Sequence, residues 1–380
     1  MPNSTALLNS APAEAPDFFL FSDEASHRHF RRTYRAARAA MAAGDDPLAT
    51  FMGDPADAPL GPQRVNDYVG LMFGIELEYD AESYSSTPLT AGNFGTPLYE
   101  AGLLRSAYQE GYHARRHETQ VWRWEEDGSV RGGEVITPVL RDNPDSWRTL
   151  AEVVNRMADN GALATAATGG HIHIDSSEIG GDEEWARFAK LLLHFEDELV
   201  RLAVNPWRQR HSRDGRVLRT WHRQIRFSIH DQLRPNLSSR SEVVEAMSSR
   251  SLPVTTNYVT NNGNGHIEFR LWDGSLRMPL IQMQAKITAA IVAAAMRPET
   301  DEFLLRSTPH PLGWHRAQPW RQESPGGGVR GEDWKNDTAG IKTLADILFP
   351  GNVADKEALI TLFALNPWGR RTPLTSRWSV

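Results

Sequence analysis

Residues Phe73–Tyr79 constrain the fold of this chain more than any other stretch. Apolar and acidic residues alternate there, with the two-residue period of a β-strand that has one buried face. Glu76 and Glu78 therefore point to one face of the predicted strand, while Ile75 and Leu77 point to the other. Neighbouring carboxylates on a strand repel each other, so the pair indicates either a solvated face or a place where a cation binds.

A predicted hairpin adds acidic residues to the pattern. Two strand-like runs lie between Thr119 and Pro138, and Asp127-Gly128 is a typical turn signal between them. We expect the outgoing strand to contribute Glu126 or Asp127, and the returning strand to contribute Glu134.

Histidines alternate in a third predicted strand, Gly169-Gly170-His171-Ile172-His173-Ile174-Asp175. His171, His173 and Asp175 share one face, and the two glycines let the backbone come close to a ligand. A single histidine on a strand is usually an ordinary core or surface residue. Two at alternate positions predict a metal or phosphate site.

A fourth strand-like run, from His266 to Asp273, places Glu268 and Arg270 on one face. An exposed ion pair between them would contribute little stability. Four strands with acidic or imidazole groups on one face instead predict a sheet that gathers carboxylates around cations. Oxygen ligands with a single imidazole suit Mg²⁺ or Mn²⁺, and Arg270 suits a phosphoryl oxygen.

Composition excludes several classes of protein. The 380 residues contain no cysteine, which excludes disulfides, thiolate metal sites and thiol catalysis. The net charge of −7 argues against a protein that binds duplex nucleic acid. No apolar run approaches the ~20 residues that span a bilayer, and no signal-peptide pattern begins the sequence, so we expect a cytoplasmic protein without a membrane partner.

Outside these strands, apolar periodicity predicts helices. We expect a helix from Ser22 to Ala43, one over Leu98–Tyr112 and a long one over Asp182–Ala203. The arginines of segment 208–226 indicate a solvated insertion or a lid over an anionic substrate. Residues 308–336 predict a long loop.

The order of these motifs resembles a known enzyme superfamily, the carboxylate–amine ligases, which include glutamine synthetase and glutamate–cysteine ligase. Phe-Gly-x-Glu-x-Glu at 73–78, His-x-His at 171–173 and Ile-Glu-Phe-Arg at 267–270 are similar to segments of its amidoligase family. The resemblance runs from Phe73 to Met296. It implies an α+β fold whose antiparallel sheet forms a funnel-like active site, with helices on the outer face. It also implies residues 1–69 as an N-terminal arm and helix, 70–300 as the catalytic domain, and 301–380 as a C-terminal loop with short helices.

The resemblance also implies ATP and two or three Mg²⁺ ions, with Mn²⁺ as a substitute, and it assigns roles to residues. The implied metal ligands are Glu76, Glu78, Glu126 (or Asp127), Glu134, His171 and Glu268. The implied catalytic residues are Arg270, Glu76 and Glu268, with Arg270 on the transferring phosphate. Gly169, Gly170, His173 and Arg270 are the implied cofactor-binding residues.

An ATP-dependent ligase that forms an amide or peptide-type bond through an acyl phosphate is therefore the predicted function. Its substrates would be a small-molecule or peptide carboxylate and an amine. Two alternatives stay open on the sequence: a phosphagen-type kinase, which would stop at phosphoryl transfer, and a non-ligase protein that binds zinc through His171, His173 and Asp175. No motif identifies the particular acid, the particular amine or the oligomeric state.

Overall fold

Six strands in the described part of the chain pair into one open, antiparallel sheet, in the order β2-β3-β1-β4-β6-β5. The computed structural model describes most positions between 32 and 48 and residues 72–81, 87–114, 118–207 (except 166 and 178), 233, 237–248, 254–256, 265–306 and 339–365. The strands are β1 (Phe73–Tyr79), β2 (Arg123–Glu125), β3 (Gly133–Ile136), β4 (Gly169–Asp175), β5 (Val254–Thr255) and β6 (His266–Asp273).

Register places the acidic and imidazole residues on one face of this sheet. Glu78 of β1 lies opposite Glu134 of β3, and Glu134 lies opposite Glu125 of β2. On the other side of β1, Glu76 lies opposite His171 of β4. His173 in turn lies opposite Glu268 of β6. We call the face that these residues share the polar face.

Nine α-helices whose bounds lie within the described residues accompany the sheet, in addition to the helical positions between 32 and 43. They are α1 (Thr96–Glu100), α2 (Pro144–Asp159), α3 (Asp182–His194), α4 (Glu196–Leu202), α5 (Arg240–Ala246), α6 (Met278–Ala295), α7 (Glu299–Arg306), α8 (Ala339–Leu348) and α9 (Val353–Leu365). A π-helical turn, Ala91–Gly95, leads directly into α1. Asn143 caps the start of α2, because its side chain accepts a hydrogen bond from the backbone N–H of Ser146.

Helices cover the apolar face of the sheet. Phe73 of β1 stacks on Trp147 of α2, with ring centroids 5.1 Å apart. Phe269 of β6 meets Phe188 of α3 edge to face. The indole Nε1 of Trp272 donates a hydrogen bond to Thr288 of α6 at 3.1 Å. The apolar halves of the strands therefore form the core, and the polar face lies on the opposite side.

Helix α6 is long and apolar enough to meet the length and composition test for a membrane span. Within the structure, however, 94% of its 18-residue window is buried. Lys286 on this helix is buried and forms an ion pair with Asp355 of α9. Because protein covers α6 on all sides, α6 is a core helix.

The prediction of an antiparallel sheet combined with helices is confirmed, and the funnel stays a prediction. The helix expected over Leu98–Tyr112 was wrong: α1 ends at Glu100. Gly102 adopts a left-handed backbone (φ 74°) just beyond it, which is a common way for a helix to end. The single helix expected over Asp182–Ala203 is two helices, because Phe195 (φ −112°, ψ 22°) interrupts it.

Several predicted segments lie wholly or partly outside the described residues. Segment 208–226 and segment 308–336 are wholly outside, as is the N-terminal arm before residue 32. The helix predicted from Ser22 is described from residue 32 onward, where described positions up to 43 are helical.

Candidate functional site

Glu76, His171 and Glu268 converge at the centre of the polar face. One ligand atom from each lies within 4.8 Å of the other two. His171 Nδ1 is 2.6 Å from Glu76 Oε2 and 3.6 Å from Glu268 Oε1. Glu268 Oε2 is buried and accepts no hydrogen bond from any described residue. These donors, contributed by β1, β4 and β6, could hold a divalent cation.

Neighbouring groups fix the orientation of these side chains. His173 Nε2 lies 3.0 Å from Glu76 Oε1, so the Glu76 carboxylate is bracketed by two imidazoles. Burial opposes ionisation of Glu76, but His173 and His171 outweigh it and hold the pKa of Glu76 well below its usual range. Burial disfavours the charged form of His171 as well, yet its contact with Glu76 raises the pKa of His171.

Arg270 places a cation on the polar face. Its guanidinium pairs with Glu268, two residues earlier on β6. Burial opposes the charged form, but the charges of Glu268 and Glu76 raise the pKa of Arg270 further above its usual value. Its side chain is 26% exposed, so the guanidinium is held in place by protein and still reachable from solvent. An oriented, accessible guanidinium can donate two parallel hydrogen bonds to the oxygens of a phosphoryl or carboxylate group.

Carboxylates crowd the part of the polar face that β1, β2 and β3 form. Glu78, Glu134 and Glu125 are all buried and lie in one row across the three strands. The backbone N–H of Gly169 donates to Glu78 Oε2 at 2.7 Å, and Arg123 Nη1 donates to Glu125 Oε1 at 3.1 Å.

Burial and neighbouring charge make this row costly to ionise. Burial, followed by the charges of Glu76, Asp127 and Glu78, raises the pKa of Glu134 to about 10. Burial also raises the pKa of Glu78, against the opposing effect of His171. A cation bound beside these carboxyl groups would offset both their burial and their mutual repulsion.

The region that builds this site is also the region that a known family covers. The model of a family described as "Putative amidoligase enzyme" matches residues 70–292. The chain belongs to this amidoligase family. All six strands lie inside the matched region. A search of curated proteins found no significant match. Membership supports an enzyme of ligase type, one that acts on small-molecule or peptide substrates.

The amidoligase sheet brings most of the predicted site residues together. The predicted metal ligands and catalytic residues on its polar face are Glu76, Glu78, Glu134, His171, Glu268 and Arg270. His173 is on the same face and contacts Glu76. Glu126 differs: it lies one residue past β2, and its side chain is exposed. Asp127 is half-buried and its charge reaches Glu78 and Glu134, so it is the nearer of the two alternatives.

Sequence reasoning missed Glu125 and His113, each of which has a ligand atom within 4.8 Å of one on Glu134. Glu125 is the residue that β2 directs toward Glu134, and the alternation Trp122, Trp124 against Arg123, Glu125 was the signal that could have found it. His113 lies in the irregular segment after α1, where no periodicity marks it.

The two glycines of β4 contribute to the hydrogen bonding and close packing of the sheet. Gly169 donates its N–H to Glu78. A side chain on Gly170 would come within 3.1 Å of the Asp273 carbonyl oxygen, because β4 and β6 pack closely there. A role of Gly169 and Gly170 in binding nucleotide stays a prediction.

Asp175 weakens the zinc alternative. Its carboxylate accepts hydrogen bonds from the backbone N–H and the hydroxyl of Ser177, at 3.0 and 2.8 Å. Its two oxygens therefore stabilise the turn after β4. Among the described residues, the ligand group that contains His171 is completed by Glu76 and Glu268 rather than by Asp175.

Proposed function

We propose that this protein is an ATP- and Mg²⁺-dependent ligase that joins a carboxylate to an amine through an acyl phosphate. The observation that carries the proposal is the cluster of Glu76, His171 and Glu268 with Arg270 beside it, on one face of a sheet in the amidoligase family. A carboxylate is a poor acyl donor because its leaving group is oxide, and phosphorylation makes it reactive.

The donor set fits Mg²⁺ or Mn²⁺. Two carboxylates and one imidazole provide ligand atoms within 4.8 Å of one another. The buried Glu268 Oε2, which accepts no hydrogen bond from any described residue, offers a free lone pair. A bound cation would neutralise the phosphate oxygens of ATP and the crowded carboxylates together.

The protein's own residues orient the reactants. Arg270, held by Glu268, would bind an oxygen of the phosphoryl group as it passes from ATP to the substrate carboxylate, with ADP leaving. The amine nitrogen then attacks the carbonyl carbon and phosphate leaves. A carboxylate of the polar face accepts the amine proton. His173 acts by positioning, because it fixes the Glu76 carboxylate from the side opposite His171.

Turnover with pooled substrates tests the proposal. Purified protein, ATP and Mg²⁺ are mixed with pools of amino acids and peptides, and ADP release is measured for wild type, Glu76→Ala and Arg270→Ala. We expect ADP release that requires both a carboxylate and an amine and is lost in both variants. A stable phosphorylated product without amine dependence would support the kinase instead. Failure to bind any nucleotide would overturn the proposal.

A further inference from the structure

A third acidic residue follows Glu76 and Glu78 at the end of β1. Asp80 lies one residue past the strand, in step with the alternation of the two glutamates, and it is only 3% exposed. The Ala81 N–H donates to Asp80 Oδ1 at 2.9 Å, and Arg131 donates to both carboxylate oxygens. Because protein donors surround this carboxylate, it joins neighbouring segments of the chain to β1.

Arg131 ties Asp80 to the turn of the β2–β3 hairpin. Its Nε and Nη2 donate to Asp80 Oδ1 and Oδ2 at 2.9 and 3.1 Å, which is a two-point pairing of guanidinium and carboxylate. Earlier in the same turn, the Ser129 N–H donates to Asp127 Oδ1 at 2.6 Å, and the Ser129 hydroxyl bonds the same oxygen. The Ser129 hydroxyl also lies 3.5 Å from Glu78 Oε2. The pairing of Asp80 with Arg131 therefore holds the turn against Glu78.

A second connection runs from Asp80 to the loop before β4. The Thr165 hydroxyl donates to Asp80 Oδ2 at 3.2 Å, and both side chains are buried. The Thr165 N–H donates to Thr168 Oγ1 at 3.1 Å, and the Thr168 hydroxyl donates to the Thr165 carbonyl at 2.9 Å. Gly169, the next residue, donates its N–H to Glu78 Oε2 at 2.7 Å. This loop is therefore fixed at one end by Asp80 and at the other by Glu78.

Both connections end at the same oxygen of Glu78. The Ser129 hydroxyl and the Gly169 N–H approach Oε2, whereas Oε1 lies 3.5 Å from His171 Nε2 in the central cluster. Groups behind a functional side chain fix its direction, and here they fix one oxygen so that the other faces the cluster. The direction of the Glu78 carboxylate thus depends on Asp80, a residue that lies two positions further along the chain.

We propose that Asp80 and Arg131 form a positioning pair, which holds the hairpin turn and the loop before β4 so that Glu78 presents Oε1 to the polar face. The inference rests on the proposed function, in which carboxylates of the polar face serve the reaction. The pair acts through Glu78 and not by contact with substrate. A carboxylate turned away from its productive direction lowers the rate of the reaction more than the affinity for substrate.

Hydrogen–deuterium exchange of backbone amides, measured without substrates, tests whether the pair holds both segments. Arg131→Met removes the guanidinium, Arg131→Lys keeps the charge without the two-point pairing, and Thr165→Val removes the hydroxyl of the second connection. Arg141→Met is the control, because Arg141 is an exposed arginine beyond β3. In Arg131→Met we expect the Ser129 and Gly169 amides to exchange at least about tenfold faster, while the amides of α2 keep their wild-type rates. Faster exchange in α2 as well would indicate a general loss of stability and would count against the pair.

Turnover shows whether this positioning matters for the reaction. With a substrate pool that supports ADP release, we expect kcat of Arg131→Met to fall about 10–10²-fold and KM for ATP to change by less than about threefold. Arg131→Lys should recover part of the loss, and Arg141→Met should match wild type. If Arg131→Met does not fold, Thr165→Val takes its place in both measurements, since it exchanges only a hydroxyl for a methyl group.

Two results would overturn the positioning role. One is unchanged exchange of the Ser129 and Gly169 amides in Arg131→Met, and the other is faster exchange of these amides with wild-type kcat. Absence of ADP release in wild type would instead overturn the proposed function. The exchange rates would still decide whether Asp80 and Arg131 hold the two segments that contact Glu78.

Discussion

At the scale of single residues, the carboxylates of the polar face lower the stability of the metal-free protein. Glu78, Glu125 and Glu134 are buried beside one another. Arg123 donates a hydrogen bond to Glu125, and the backbone N–H of Gly169 donates one to Glu78. Ionising all of them without a cation is unfavourable. We infer that the arrangement is kept for binding, because a row of apolar residues would be the more stable choice at these positions.

Replacing Glu134 with Gln should therefore stabilise the metal-free protein. Its carboxyl has a raised pKa of about 10 in the folded state, so stability falls as pH rises from the unfolded pKa near 4.5 toward 10. At pH 7, in EDTA, we expect the free energy of unfolding to rise on the order of 1–3 kcal/mol in Glu134→Gln. Denaturant unfolding at pH 5, 7 and 9 measures it.

The control for this experiment is Glu152→Gln, because Glu152 is an exposed glutamate on α2. It should change stability by less than about 0.5 kcal/mol. A loss of stability in metal-free Glu134→Gln would show that Glu134 has a favourable partner in the folded state.

Arg270→Lys should separate charge from geometry. Lysine keeps a cation beside Glu268 but loses the planar, two-point fork of the guanidinium. If Arg270 binds the phosphoryl group as it transfers, kcat should fall about 10²–10³-fold with little change in the ATP dissociation constant. Arg148→Lys, an exposed arginine paired with Asp145, is the matched control. Equal kcat in Arg270→Lys and wild type would remove Arg270 from the phosphoryl-transfer step.

At the scale of elements, alternation in the sequence predicts the strands well and the irregular segments poorly. The strands β1, β4 and β6 follow their apolar and polar alternation, so the faces of Glu76, His171 and Glu268 could be read directly. His113 and the partnership of Gln109 with Glu125 and Gly132 depend on long-range packing, which no local pattern encodes. The outgoing hairpin strand was expected to run to Glu126 and ends at Glu125, because a turn signal fixes the end of a strand only to within a residue or two.

The close packing around Gly133, the first residue of β3, can be tested by substitution. It has φ 129°, and an added side chain would come within 2.2 Å of Gln109 Nε2 and 2.5 Å of the Glu125 carbonyl. We expect Gly133→Ala to lower the free energy of unfolding by about 1–3 kcal/mol.

Gly128→Ala is the control within the same hairpin, since a side chain there meets nothing within 4 Å. Its free energy of unfolding should match that of wild type. Equal stability of Gly133→Ala and Gly128→Ala would contradict the close packing described for this hairpin.

At the scale of the whole molecule, the C-terminal helices are tied to the core beneath the sheet. Lys286 on α6 pairs with Asp355 on α9, and both side chains are almost fully buried. Asp355 also accepts a hydrogen bond from Asn352 at 2.7 Å. Arg201 of α4 donates to the Phe363 carbonyl of α9 at 3.0 Å. Helix α9, which lies beyond the region that the amidoligase model matches, is therefore part of the same packed unit as α6 and α4.

Breaking the Lys286–Asp355 pair tests this connection. Lys286→Met should lower the free energy of unfolding by about 3–5 kcal/mol, because it leaves Asp355 buried without its cation. The double variant Lys286→Met/Asp355→Leu should recover part of that loss. Denaturant unfolding of both variants gives the comparison. A single variant as stable as wild type would mean that the ion pair does not join α9 to the core.

If the polar face activates a carboxylate by phosphorylation, an oxygen atom must pass from that carboxylate to the released phosphate. A substrate pool that supports turnover is labelled with ¹⁸O in its carboxylates, and the phosphate released with ADP is analysed by mass spectrometry. We expect one ¹⁸O per released phosphate, because the carboxylate oxygen that accepts the phosphoryl group leaves with it. Product formation with unlabelled phosphate would contradict the acyl phosphate, and label held in a stable phosphorylated compound would mark the protein as a kinase.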